Sequence, residues 1–182
     1  IIEILLLYGR EEREFEDLVL KENESGDLVY EPERKESRVY SKIYLDLQED
    51  EIEMSHDHFR KIYYSLMESL NEKEDFSIAS FLNELDQELV NNISSILMEE
   101  EKYRLHNWER KDIYPKAKKQ QVSQEVTETI LALRCHLINK RINELQKETK
   151  DIMEDNRETL EEVINYQKLK VLLSDKLSRV LS

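Results

Sequence analysis

Apolar residues recur at steps of three and four through the last third of the chain, in two runs parted by a polar break at Asp155-Asn156-Arg157. Val126, Ile130, Leu133 and Leu137 share one helical face, and Ile138, Ile142, Leu145, Thr149 and Ile152 continue it after a one-residue drift. Beyond the break, Leu160, Ile164, Leu169, Leu173, Leu177 and Val180 begin again. This spacing describes amphipathic helices, and so short a turn makes them antiparallel neighbours. The pattern predicts a helical hairpin with arms of about thirty residues each. A hairpin offers a surface to be grasped rather than a concave place for chemistry.

The earlier part of the chain reads as shorter helices. Ile1, Ile2 and the run Ile4 to Leu7 make a helix apolar on nearly every side, which must sit inside a core, and Gly9 is its expected C-terminal stop. Residues 10–36 are acidic and irregular, with Gly26 and Pro32. They are expected to form a long excursion holding one helical turn or a weak strand pair around Leu18-Val19-Leu20 and Leu28-Val29-Tyr30.

Val39, Ile43, Leu45 and Leu47 predict a helix starting near Ser37, followed by a connector from Asp50 to Met54. Ser55 is the expected N-cap of the next, which carries Phe59, Ile62, Tyr63, Leu66 and Leu70. Asp75 or Ser77 would cap a third, with Ile78, Phe81, Leu82 and Leu85. Leu89, Ile93, Ile96 and Leu97 make a fourth. Tyr103 to Trp108 form an aromatic segment that Tyr114-Pro115 interrupts, because a residue before proline avoids the helical region. Lys116 to Gln121 are a polar, basic lead into the long helix. The expected fold is all-α: a bundle of short helices over residues 1–120, then the long helix and antiparallel hairpin of 121–182.

Composition supports this reading. With 2 Gly and 2 Pro in 182 residues, the chain has too few turn formers for a many-stranded β protein. Charged residues make up 37%, above the roughly 25% usual for soluble domains, which suits thin helices with much exposed surface. The charge is uneven. Residues 1–101 carry 10 Lys+Arg against 28 Asp+Glu, a balance of −18, and residues 102–182 carry 17 against 13, a balance of +4. The acidic part would repel phosphate, so direct nucleic-acid binding is not expected. The basic part can meet an acidic protein surface, although its charges also suit the solvated faces of long helices.

Cys135 is the single cysteine, which excludes an internal disulfide and a multi-cysteine zinc site. Beside Leu133 and Leu137 it reads as a small buried hydrophobe in a reducing compartment. No apolar run reaches the roughly 18 residues of a membrane span, and no signal-peptide pattern is present, so a cytoplasmic location is expected. A chain opening on Ile1 without methionine reads as a piece of something longer.

The search for chemistry finds little. His56-Asp57-His58 with Glu53 is the best metal candidate, but histidines at i and i+2 do not share a helical face, and the plainer role is a polar first turn. His106 and His136 stand alone as packing or surface residues, and Glu99-Glu100-Glu101 solvates a helix end. Cys135 and His136 are adjacent and cannot face each other as a nucleophile and base. Two glycines cannot build a phosphate cradle. Trp108 reads as a core anchor. No catalytic residue, cofactor or metal is expected.

Several runs resemble the C-terminal helicase-binding domain of bacterial replicative DNA primase, the DnaG-type enzyme. Ile1 through Gly9 is similar to that domain's first helix. Val39-Tyr40-Ser41-Lys42-Ile43, through Leu47, Ile52 and Met54 to Phe59, Ile62 and Tyr63, resembles its next helix, connector and helix. Tyr103-Arg104-Leu105, Trp108 and Lys111-Asp112-Ile113-Tyr114 fall where the bundle leads into the connecting helix, and Gln167 through Leu181 is similar to the closing one.

The resemblance implies a bundle like the helicase's own N-terminal domain, followed by a hairpin that docks on the replicative hexameric helicase. It implies that primase is so recruited to the replication fork, with its zinc-binding and polymerising segments upstream. Surplus apolar and basic residues along the last helix are then the expected contacts: Val163, Tyr166, Lys170, Leu173, Lys176 and Arg179. On this reading Tyr166→Ala weakens binding by about 1–2 kcal/mol and leaves helicity intact. The competing expectations are a coiled-coil scaffold that pairs with itself and a metal-dependent phosphohydrolase built on His56, Asp57 and His58.

Overall fold

The computed structural model describes residues 1–22, 28–73, 75–104, 118–151 and 157–180. They form two compact units, residues 1–123 and residues 124–182. The expected division lay at 120/121.

Unit 1 begins with α1 (Ile2–Tyr8), whose Ile2, Ile4, Leu5 and Leu6 are all buried. Seven residues leave no room for a polar face, and α1 packs on both α2 (Val39–Glu49) and α3 (Asp57–Glu72). Between α1 and α2 the chain leaves the helical core as an antiparallel ribbon, β1 (Glu12–Glu22) against β2 (Leu28–Arg38). The molecule is therefore mostly helical but not all-α, a correction to the expected class.

The two segments expected as a weak strand pair lie within this ribbon, with Leu20 opposite Tyr30 and Leu18 opposite Pro32. The pairing runs much further toward the base, through residues too charged to read as strand. The cause is alternation. Arg13, Phe15 and Asp17 turn inward while Glu12, Glu14 and Glu16 face water. Phe15 is the buried anchor. On the outer face Arg34 donates from Nε to Glu16 Oε2 at 3.0 Å and lies 3.7 Å from Glu14, while Arg38 lies 3.8 Å from Glu12. Cross-strand charge pairs of this kind compensate a strand poor in β-formers.

The base of the ribbon is closed by backbone bonds. Val39 N–H donates to Glu11 O at 3.0 Å and Tyr40 N–H to Gly9 O at 2.9 Å. Lys42 on α2 adds a second fastening, with its Nζ 2.7 Å from Asp17 Oδ1 and 3.0 Å from Asp46 Oδ1. Burial alone would lower the pKa of this ammonium, but hydrogen bonds and attraction from Asp17 and Asp46 outweigh that and raise it above 10.5.

α2 buries Val39, Ile43 and Leu47, while Leu45, expected with them, is 60% exposed. The helix ends at Asp50 in a Schellman arrangement: Glu51 N–H reaches Gln48 O and Ile52 N–H reaches Leu47 O. Glu51 takes the left-handed position, φ 53°, where glycine is commonest.

α3 buries Ile62, Tyr63, Leu66 and Leu70, but Phe59 at its exposed start does not join them. Its N-cap is His56, without a side-chain bond, so Ser55 does not cap it. Ser77 does cap α4 (Ile78–Leu82), its Oγ accepting from Ser80 N–H at 3.1 Å. Phe81 of α4 is buried beside Phe76. α5 (Gln87–Arg104) buries Leu89 and Ile93, with Ile96 and Leu97 half-buried. It takes in Tyr103; the rest of the expected aromatic segment, with His106, Trp108, Tyr114 and Pro115, lies outside the described residues.

Candidate docking face of the helical hairpin

Unit 2 takes most of α6 (Lys118–Asp151) and all of α7 (Arg157–Val180). Their side chains meet in antiparallel order, Cys135 beside Ser174 (Sγ to Oγ 3.9 Å) and Arg141 beside Glu162 (3.5 Å), so one residue number rises as the other falls. The Arg141–Glu162 pair is exposed on both sides and contributes little. The connection through residues 152–156, including the expected break and Ile152, lies outside the described residues.

Ile138, Ile142 and Leu145 of α6 form the seam with Val163 of α7, and Tyr166 and Leu173 pack against it. These α6 residues are those the spacing predicts. The one-residue drift is visible as a change of face: Val122, Val126 and Ile130 are buried along one stripe, and Ile138, Ile142 and Leu145 along another. Leu133 and Leu137 are half-buried, as is Cys135, which is less enclosed than expected.

On α7 the sides differ in part from expectation. Val163, a predicted partner contact, is only 8% exposed, and Tyr166 and Leu173 join it at the seam. Burial inside the hairpin takes Val163 out of the outward set, while Tyr166 and Leu173 are half-buried along the same seam. Lys170 and Lys176 are half-buried, and Arg179 lies on α7 with its side chain outside the described residues.

Of the residues expected inside, Leu173 and Leu177 are half-buried while three others are in water. Leu160, Ile164 and Leu169 are exposed, and so are Val171 and Leu172 at 67% and 68%. Positions 160, 164 and 171 fall within one narrow stripe of a helix, about 120° around from the seam. The signal for the true seam was present in the 3-4-3-4 spacing of positions 163, 166, 170, 173 and 177. Lys170 in the middle of that stripe obscured it; lysine can line an apolar seam with its stem and hold its ammonium in water.

Other candidate chemistry does not converge. The rings of His56 and His58 stand 5.3 Å apart, edge to face, and His58 Nδ1 lies 3.6 Å from Glu88 Oε1. Among the described residues no group of three or more His, Cys, Asp or Glu side chains is placed to hold a metal ion. His136 is exposed on α6, and the side chains of Glu99, Glu100 and Glu101 lie outside the described residues. An open depression of about 500 Å³ runs beside the ribbon, lined by Phe15, Ser123 and the paired charges of Glu14, Glu16 and Arg34. No helix among the described residues is long and apolar enough to cross a membrane.

No curated protein and no solved structure matches this chain. Residues 1–180 match the family model described as Domain of unknown function (DUF8430), and the chain belongs to that family.

Proposed function

We propose that this chain is a non-catalytic interaction module, the helicase-binding end of a bacterial replicative DNA primase, acting in the cytoplasm. The reading is supported by one observation above others: α7 keeps Leu160, Ile164 and Val171 in water on one stripe although another stripe is already packed. An arm with a spent inner stripe and an unspent outer one suits a helix laid into another protein's groove. The partner comes from the sequence resemblance, which points to the N-terminal domain of the replicative hexameric helicase. Docking there would bring primase to the fork for primer synthesis, and the bundle would modulate helicase activity.

Calorimetric titration of the chain with the replicative helicase of the same organism tests this. Binding is expected, with Ile164→Ser/Val171→Ser weakening it at least about tenfold at unchanged helicity. No binding by the unsubstituted chain rejects the helicase. Sedimentation as a dimer that the same substitutions dissolve would favour the self-pairing scaffold instead.

A further inference from the structure

The ribbon has two outward edges, and they are not alike. Val39 N–H donates to Glu11 O at its base, so in the register that follows, the odd-numbered residues of both strands face each other as hydrogen-bonded pairs. Even-numbered residues therefore turn their N–H and C=O groups outward. On β2 one of these is Pro32, which has no N–H, so the row of donors on that edge is broken in its middle. On β1 the row is whole, with Glu12, Glu14, Glu16, Leu18, Leu20 and Glu22. At its foot Arg13 Nη1 donates to Glu12 O at 2.7 Å. Among the described residues no third strand adjoins it.

Space lies beside the same stretch. The depression of about 500 Å³ is lined by five consecutive residues of β1, Glu12 to Glu16, by Arg34 and Glu36 of β2, and by Ser123. Contact with successive residues of one strand places it along the backbone of β1, where an added strand would lie about 4.8 Å away. Outward backbone groups in a row select an extended chain over a helix.

Charge selects which extended chain. In a sheet, the nearest neighbours of a side chain on its face are those directly across on the adjoining strands. On the water face of the ribbon the rungs are Glu12–Arg38, Glu14–Glu36 and Glu16–Arg34. The middle rung sets two carboxylates opposite each other, an arrangement that destabilises a ribbon. Arg34 lies 3.0 Å from Glu16 and 3.7 Å from Glu14, Arg38 lies 3.8 Å from Glu12, and Arg13 is bound to Glu11. Lys35 belongs to the inner face, opposite Phe15. An added strand meets Glu12, Glu14 and Glu16 from the side away from Arg34 and Arg38, so lysine or arginine at alternate positions would complete each rung. A second copy of β1 over the same stretch would set glutamates against glutamates, which disfavours it.

We propose that the free edge of β1 takes up an extended segment of a partner protein, with lysine or arginine at every second position, as a third strand of the ribbon. The claim is independent of the hairpin reading.

The test uses the full chain and, as probe, a peptide of about eight residues alternating Thr and Lys, with a Thr/Glu peptide as control. In an NMR titration to about 1 mM, the basic peptide alone should bind. Amide exchange should slow at Glu14, Glu16 and Leu18 by more than at Arg13, Phe15 and Asp17, whose N–H groups already face β2. Glu14→Lys removes the like-charge rung, so the unfolding midpoint should hold or rise while Kd rises at least about fivefold. Glu16→Pro takes away one outward N–H without touching the ladder to β2, as Pro32 does on the other strand, and should weaken binding by a similar factor. Glu14→Lys decides alone should the proline variant fail to fold. The proposal is overturned by absence of binding, by equal binding of the acidic peptide, or by unchanged affinity in either folded variant. Slowed exchange along β2's outward positions or on 157–180 instead also overturns it, as does self-association that Glu16→Pro abolishes, since the occupant would then be a second copy.

Discussion

Gly9 shows how a residue can be recognised for the wrong reason. The sequence marks it as a helix stop, which usually means a left-handed backbone, yet its φ is −48° and any residue tolerates that. What requires glycine is space. A Cβ there would stand 2.4 Å from Leu5 O and 2.8 Å from Leu70 Cδ1. Gly9→Ala must shift the end of α1 away from Leu5 O and turn Leu70 aside, and we expect it to cost about 1–3 kcal/mol in urea unfolding. A loss below half a kcal/mol would mean that Leu70 moves aside freely.

Tyr63 and Lys42 give the fold a dependence on alkaline pH. Burial, with Tyr64 and Tyr44 nearby, pushes the Tyr63 phenol up to about 12 from an ordinary 10. A group whose folded pKa is raised contributes fully below its unfolded value and loses that contribution as pH climbs through the folded one. The Tyr63 contribution, on the order of 2 kcal/mol, should therefore vanish between about pH 10 and 12. Lys42, also raised, loses its share above 10.5. Urea midpoints should fall across this window, and less steeply in Tyr63→Phe. Equal slopes in the two proteins would show that Tyr63 is not responsible.

At the level of elements, the hairpin was legible in the sequence and the orientation of its second arm was not. Periodicity identifies helices because it reports on any amphipathic face. It cannot choose between two apolar stripes on one helix when the partner's shape decides. α7 carries both, and the stripe chosen is the one with Val163 and Tyr166. The two sides should respond differently to truncation. Val163→Ala should destabilise unit 2 by about 1–2 kcal/mol, while Val171→Ser should change stability by less than about 0.5. Circular dichroism during urea unfolding separates the two, and a reversed order would mean that the inner and outer sides are misassigned. The ribbon was legible only at its apolar end, since near the base its strand character comes from cross-strand arginines and from Phe15 alone. Caps were a mixed case: Ser77, one of two candidates, bonds as a cap, whereas the N-cap of α3 is His56, one residue past Ser55.

Across the whole molecule, composition reported the helical content well, because scarcity of glycine and proline limits how often a chain can turn. It could not exclude one long ribbon, which needs a single reversal. The way that ribbon joins the core has a bearing on how such a chain can change over time. Because Glu11 and Val39 are already hydrogen-bonded where it departs and returns, α1 and α2 keep their places whatever happens farther out. Two ties to the rest of the protein, the burial of Phe15 and the Asp17–Lys42 bridge, sit in the lower half. Adding or removing one residue on each strand farther out would keep the register of that lower half, so lineages can differ in ribbon length without disturbing these two ties.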